Sequence, residues 1–139
     1  GKAHWPGYFR ILNERLRPGA AAVIQVITID DARYRQYLRN TDFIQRYIFP
    51  GGMLPTPAIV CEQAAAAGLE VDHREMFGQD YARTLAEWRR NFHAAWPRLR
   101  QPGFDDRFRR LWDYYLCYCE TGFRLGSIDV GIFRLRKPG

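Results

Sequence analysis

Pro18-Gly19-Ala20-Ala21-Ala22-Val23-Ile24-Gln25-Val26-Ile27-Thr28-Ile29 is the stretch on which the fold turns. Proline followed by glycine stops a helix. The apolar run behind it, broken only at Gln25 and Thr28 and β-branched toward its end, reads as a buried strand. Upstream, Trp5, Phe9, Leu12 and Leu16 recur at helical spacing. Helix, stop and strand form an αβ unit, which predicts a mostly parallel sheet. The run is far shorter than the roughly 20 apolar residues that span a bilayer. The first residues, Gly1-Lys2-Ala3-His4-Trp5-Pro6, lack the apolar segment of a signal peptide.

Downstream, Asp30-Asp31 can cap a short helix through Leu38. Tyr47-Ile48-Phe49-Pro50-Gly51-Gly52-Met53-Leu54-Pro55 contains two prolines and two glycines, which exclude a regular element. Its large apolar groups are either tucked into the fold or waiting for an apolar partner. Thr56 and Pro57 open a helix as N-cap and first helical residue. It runs through Ala64-Ala65-Ala66-Ala67 to Gly68. Residues 69–77 read as a second, less buried strand that Gly78 breaks. Tyr81, Leu85, Trp88, Phe92 and Trp96 share one helical stripe, closed by Pro97 and then Pro102-Gly103. Phe104 starts a long amphipathic helix with Phe108, Leu111, Trp112, Tyr115, Leu116, Cys119 and Phe123 on one side. Gly126 ends it, and residues 127–136 read as a last strand. The expectation is an α/β fold of about three strands with covering helices, cut from a larger sheet because it begins at a helix.

The chain has 139 residues, so residues 1–139 form one domain, and 47% of them are apolar, enough for a core. Its net charge is +6, carried almost wholly by arginines spread at about one per helical turn, which reads as solvated helix faces. Cys61, Cys117 and Cys119 are odd in number and lack framework spacing, so they read as packed, reduced thiols. His4, His73 and His93 are scattered, so no metal is expected. There is no phosphate loop, no dinucleotide fingerprint and no nucleophile elbow.

Three segments narrow this reading. Phe43-Ile44-Gln45-Arg46-Tyr47-Ile48-Phe49-Pro50-Gly51-Gly52-Met53-Leu54-Pro55 resembles the most recognisable stretch of the cyclopropane-fatty-acyl-phospholipid synthase family. Phe77-Gly78-Gln79-Asp80-Tyr81-Ala82-Arg83-Thr84-Leu85-Ala86-Glu87-Trp88 is similar to a second family segment. Phe108-Arg109-Arg110-Leu111-Trp112-Asp113-Tyr114-Tyr115-Leu116, with Cys119-Glu120 and Phe123-Arg124, resembles its C-terminal helix, and Ser127-Ile128-Asp129-Val130 leads into its last strand. The resemblance covers nearly the whole chain. It implies the C-terminal, acyl-covering part of a Rossmann-like class I methyltransferase dependent on S-adenosylmethionine. The glycine-rich cofactor loop and a catalytic cysteine and glutamate of the family would lie upstream, so the cofactor-binding half is absent and the chain alone is expected to be inactive.

The resemblance also implies chemistry. Methyl transfer to a cis double bond of a phospholipid acyl chain gives a carbocation, and a bound bicarbonate removes a proton to close the ring. Tyr81 matches the family tyrosine that donates to bicarbonate. Gln25 stands where many members have a histidine ligand, a departure that leaves a methyl-branching product open. Ile27 matches a backbone contact to the anion. Phe49 matches an aromatic near the reacting alkene, where a ring face stabilises a cation. Pro50, Gly51 and Gly52 complete the substrate-side loop, the glycines permitting unusual backbone angles or close approach. The expected partners are unsaturated phospholipid acyl chains and an anionic membrane surface, met from the cytoplasmic side at the inner membrane face. A homodimer remains open. A non-catalytic lipid- or protein-binding module is the alternative class. A basic nucleic-acid binder ranks last, because no recognition motif is present.

Overall fold

A computed structural model describes residues 1–99 and 104–139; the expected Pro102-Gly103 stop lies outside the described residues. The elements are α1 (Trp5–Arg15), β1 (Ala21–Ile29), α2 (Asp31–Arg39), a π-helical turn (Ile44–Ile48), α3 (Pro57–Ala66), β2 (Glu70–Met76), α4 (Gly78–Leu99), α5 (Asp106–Arg124) and β3 (Ile128–Arg136). The caps act as expected: Asp30 accepts from the Ala32 N–H and Thr56 Oγ1 from the Ile59 N–H.

The sheet departs from the parallel expectation. Its order is β1-β3-β2, and the central β3 runs antiparallel to both neighbours. The helix pair ahead of β3 is the reason. Phe92 meets Phe108, Arg89 meets Asp113 and Tyr81 meets Phe123, so α4 and α5 are antiparallel. Two such helices return the chain to where β2 ended, and β3 must run back beside it.

Alternation along the strands divides two cores. Phe133 and Leu135 of β3, with Ile24 and Val26 of β1, pack against Phe9, Val60, Ala64 and Leu69 under α1 and α3. Val130 and Ile128, with Ile27, pack against Leu85, Leu116 and Phe123 of α4 and α5. β1 was expected to be buried throughout, but only Thr28 and Ile29 are; Ala21, Val23 and Gln25 are exposed. They point to the α4–α5 side, beyond the end of the helix pair's cover.

Smaller differences have local causes. Pro97 sits inside the last turn of α4, which continues to Leu99; its missing N–H forfeits one bond, to the His93 carbonyl, and only two further residues follow it in the helix. Asp105 caps α5 through the Phe108 N–H, so that helix starts at Asp106 rather than Phe104. Tyr47 and Ile48 belong to the π-helical turn, so irregular backbone begins at Phe49. Trp88 of the α4 stripe is exposed, its ring edge-on to Tyr81. Cys117 is exposed rather than packed, and all three cysteines are free.

Candidate active site

The segment after α2 is tied down by a reciprocal cap. The Gln45 N–H donates to Asp42 Oδ1 (2.8 Å), and the Asp42 N–H donates to Gln45 Oε1 (3.1 Å). The Gln45 side-chain amide then donates to the Gly52 carbonyl (3.1 Å), and the Leu54 N–H donates to the Tyr37 hydroxyl (3.0 Å). Between these ties the Gly52 N–H donates to the Phe49 carbonyl (2.9 Å). Gly51 has φ +79°, and a Cβ on Gly52 would stand 2.9 Å from that carbonyl oxygen. The Pro-Gly-Gly sequence is thus the one that closes this turn without strain.

Beneath the turn lies a cavity of about 710 Å³. Ile27 and Ile29 of β1, Phe49, Met53 and Leu54 of the loop, and Tyr115 and Cys119 of α5 give it a mainly apolar lining. The volume falls within the ~300–1,000 Å³ usual for small-molecule sites. The Phe49 ring meets Tyr115 edge-to-face at 6.2 Å and 83°. Burial pushes the Tyr115 phenol up to about 12. Burial, then the nearby Asp42 carboxylate, pushes the Cys119 thiol up to about 12. Both side chains are therefore neutral cavity wall at physiological pH.

The structure places the expected residues unequally. Ile27, Phe49 and Gly52 line the cavity, while Pro50 and Gly51 are exposed and outside its lining. Tyr81 packs in the cluster that holds Ile27, Tyr115 and Cys119, with its ring 5.0 Å from that of Phe123. Gln25 lies on the same face as Ile27, two residues and about 7 Å along the strand. It is exposed and pairs across the sheet with Ile132. Tyr81 and Ile27 are thus gathered, and Gln25 stands at the open end of their face. Cavity residues missed in the sequence include Arg33, Gln36, Tyr37 and Asn40. Their i, i+3, i+4, i+7 spacing was visible, but their polarity reads as a solvated face.

The strand-to-helix turn after β2 is closed by the Gly78 N–H, which donates to Asp129 Oδ1 (2.9 Å). The depression beside it measures about 200 Å³, below the usual ligand range. Among the described residues no group of three or more His, Cys, Asp or Glu side chains is placed to hold a metal.

The chain matches the family model for mycolic acid cyclopropane synthetase over residues 1–133. It is 39% identical to tuberculostearic acid methyltransferase UfaA1 of Mycobacterium tuberculosis, over 100% of this chain and 33% of that protein. It is 29% identical to the cyclopropane-fatty-acyl-phospholipid synthase of Escherichia coli K12, over 94% of this chain and 32% of that protein. Among solved structures, mycolic acid cyclopropane synthase CmaA1 complexed with SAH and CTAB superposes with a TM-score of 0.81 at 26% identity, over 99% of this chain and 51% of that one. The chain therefore spans about a third of these curated relatives and half of that structure.

The antiparallel last strand, the helix pair before it and the apolar cavity fit the class I methyltransferases that use S-adenosylmethionine. Within that class, the chain belongs to the mycolic acid cyclopropane synthetase family of lipid methyltransferases and cyclopropane synthases.

Proposed function

We propose that this chain forms the acyl-covering part of an enzyme that adds a one-carbon unit across a cis double bond of a phospholipid acyl chain. The cavity carries this reading. It offers an apolar space of about 710 Å³, and Phe49 and Tyr115 present aromatic groups to it. A carbocation formed there would be shielded from water and faced by ring electrons.

S-adenosylmethionine supplies the methyl group when bound, through contacts that belong to the remainder of such an enzyme. Tyr81 and Gln25 carry neutral donors suited to a small anion. Bicarbonate held there would supply a base. Exposed Tyr47, Phe49 and Leu125, together with the arginine-rich surface, suit peripheral contact with anionic lipid. No helix among the described residues is long and apolar enough to cross a membrane.

The test uses the longer polypeptide that carries this chain, labelled S-adenosylmethionine and vesicles of unsaturated phospholipid. The expected result is acyl chains that gain one labelled carbon at the double bond. Unchanged acyl mass sinks the reading. A methyl-branched product is the second reading. Gln25 in place of histidine favours it, as does the higher identity to the relative named for tuberculostearic acid methylation. Ring closure and an unsaturated one-carbon branch each add one CH₂ and share a mass, because saturating the branch would need an added hydride donor; the upfield cyclopropane protons of the ring, against the vinyl protons of the branch, separate the two by NMR.

A further inference from the structure

The turn above the cavity is rigid in itself. Pro50 and Gly51 are its central residues, Gly51 has φ +79°, and the Gly52 N–H closes it on the Phe49 carbonyl at 2.9 Å. Proline followed by a glycine of positive φ is the type II pattern. Such a turn moves as one piece. Its two flanks are fixed. The Phe49 N–H donates to the Ile44 carbonyl (2.8 Å), and the Pro55 carbonyl accepts from the Ile29 N–H of β1 (3.0 Å). What sets the turn's height over the cavity lies between those flanks.

Burial does not set it. Phe49 is 56% exposed, and Pro50 and Gly51 are exposed too. Polar ties remain, and they converge on Gln45. Its side-chain amide donates to the Gly52 carbonyl (3.1 Å), while its side-chain oxygen accepts from the Asp42 N–H (3.1 Å). The Gln45 N–H donates in turn to Asp42 Oδ1 (2.8 Å). The same side chain acts on the Tyr37 hydroxyl, which accepts from the Leu54 N–H (3.0 Å). One amide thus joins α2, the π-helical turn and the loop. An amide is needed for this, since a carboxylate lacks the donor and a lysine lacks the acceptor.

We propose that Gln45 is a positioning residue: it holds the turn of Phe49 and Gly52 down on the cavity, so that the Phe49 ring faces the reacting carbon and water stays out. The inference rests on the acyl reading above and adds to it the part that shields the cation. Such a cation has two fates. Loss of a proton gives the ring or the unsaturated branch. Attack by water forms a carbon–oxygen bond, and the oxygen then releases a proton to solvent. The resulting methyl-branched alcohol is one water heavier than the ring. A loosened turn admits water and shifts the product toward that alcohol.

Two readouts on the longer polypeptide that carries this chain test the role, and the first needs no activity. It is hydrogen–deuterium exchange across residues 49–54. Gln45→Glu keeps the acceptor for the Asp42 N–H but cannot donate to the Gly52 carbonyl. Gly52→Ala attacks the same turn from the other side, since its Cβ would stand 2.9 Å from the Phe49 carbonyl oxygen. Both variants are expected to exchange about twofold to tenfold faster there, the range for one lost hydrogen bond, with β1 and α5 at wild-type rates. The second readout is mass analysis of the product formed from labelled S-adenosylmethionine and unsaturated phospholipid vesicles. The alcohol fraction is expected to rise by a similar factor in both variants. Unchanged exchange in Gln45→Glu overturns the positioning role. Faster exchange throughout the chain also overturns it, because Gln45 would then be merely structural. Faster exchange of the turn without added alcohol overturns the water seal. If the wild-type polypeptide transfers no methyl group, the acyl reading falls, and exchange alone decides whether Gln45 holds the turn.

Discussion

The side chains that alternate along β1 and β3 enter two unlike environments. Toward α1 and α3, Phe133 and Leu135 are fully buried in a closed core. Toward α4 and α5, Val130 is fully buried, but Ile27 and Ile128 are half-buried and Val23 is 63% exposed. The first pair of helices closes its side of the sheet with Phe9, Val60 and Ala64. The second pair packs chiefly on itself, through Phe92–Phe108 and the Arg89–Asp113 bridge, and leaves room for a cavity closed by a loop. One strand pattern thus yields a structural core on one face and a ligand-sized space on the other. What covers each face decides which.

The largest expected effect tests that contrast directly. Phe133→Ala should cost about 3–5 kcal/mol, because a closed core cannot collapse around the void. Phe49→Ala, at a side chain 56% exposed, should change stability by about 0.5 kcal/mol or less. Urea unfolding of the two variants measures both, and similar losses would erase the distinction between core and cavity wall.

Thiol chemistry sharpens the same contrast within one helix. Cys119, pushed up to about 12 by burial, should alkylate with iodoacetamide at neutral pH at least ~100-fold more slowly than exposed Cys117. Peptide mapping over time reads the ratio. Comparable rates would mean that the cavity wall opens readily to water.

The smallest effect concerns the clamp between α4 and α5. The Arg89 guanidinium, then His93, holds the Asp113 carboxyl below its ordinary value of 3.8; Arg89 lies at 2.7 Å and His93 at 2.6 Å. A depressed carboxylate contributes stability above its unfolded value and loses it as pH falls through its folded value. Asp113→Asn should therefore cost about 0.2–1 kcal/mol at neutral pH and nothing once the pH is below both values. A variant equally destabilised at every pH would show that the bridge acts by packing rather than charge.

Much of this was legible in local chemistry. Pro18-Gly19, Thr56-Pro57 and Gly126 punctuate the chain by backbone rules that need no tertiary partner. The stripe of Tyr115 and Cys119 was visible as helical spacing. That it walls an acyl space followed only from the family resemblance, because an apolar stripe looks the same whether it faces a core or a void. Asp42 and Gln45 were hidden for a different reason. Their hydrogen bonds to one another and to Gly52 carry no hydrophobic period.

By itself the sequence determined where helices and strands start and stop, which faces are apolar, and the family resemblance of the loop around Phe49. These follow from short-range sterics, capping and periodicity. Only the tertiary structure decided the direction of β3, the exposure of Gln25, the gathering of Ile27 with Tyr81, and the opening of a cavity beside Asp42. Each of these depends on how α4 and α5 pack across the sheet, a long-range arrangement that no local pattern encodes.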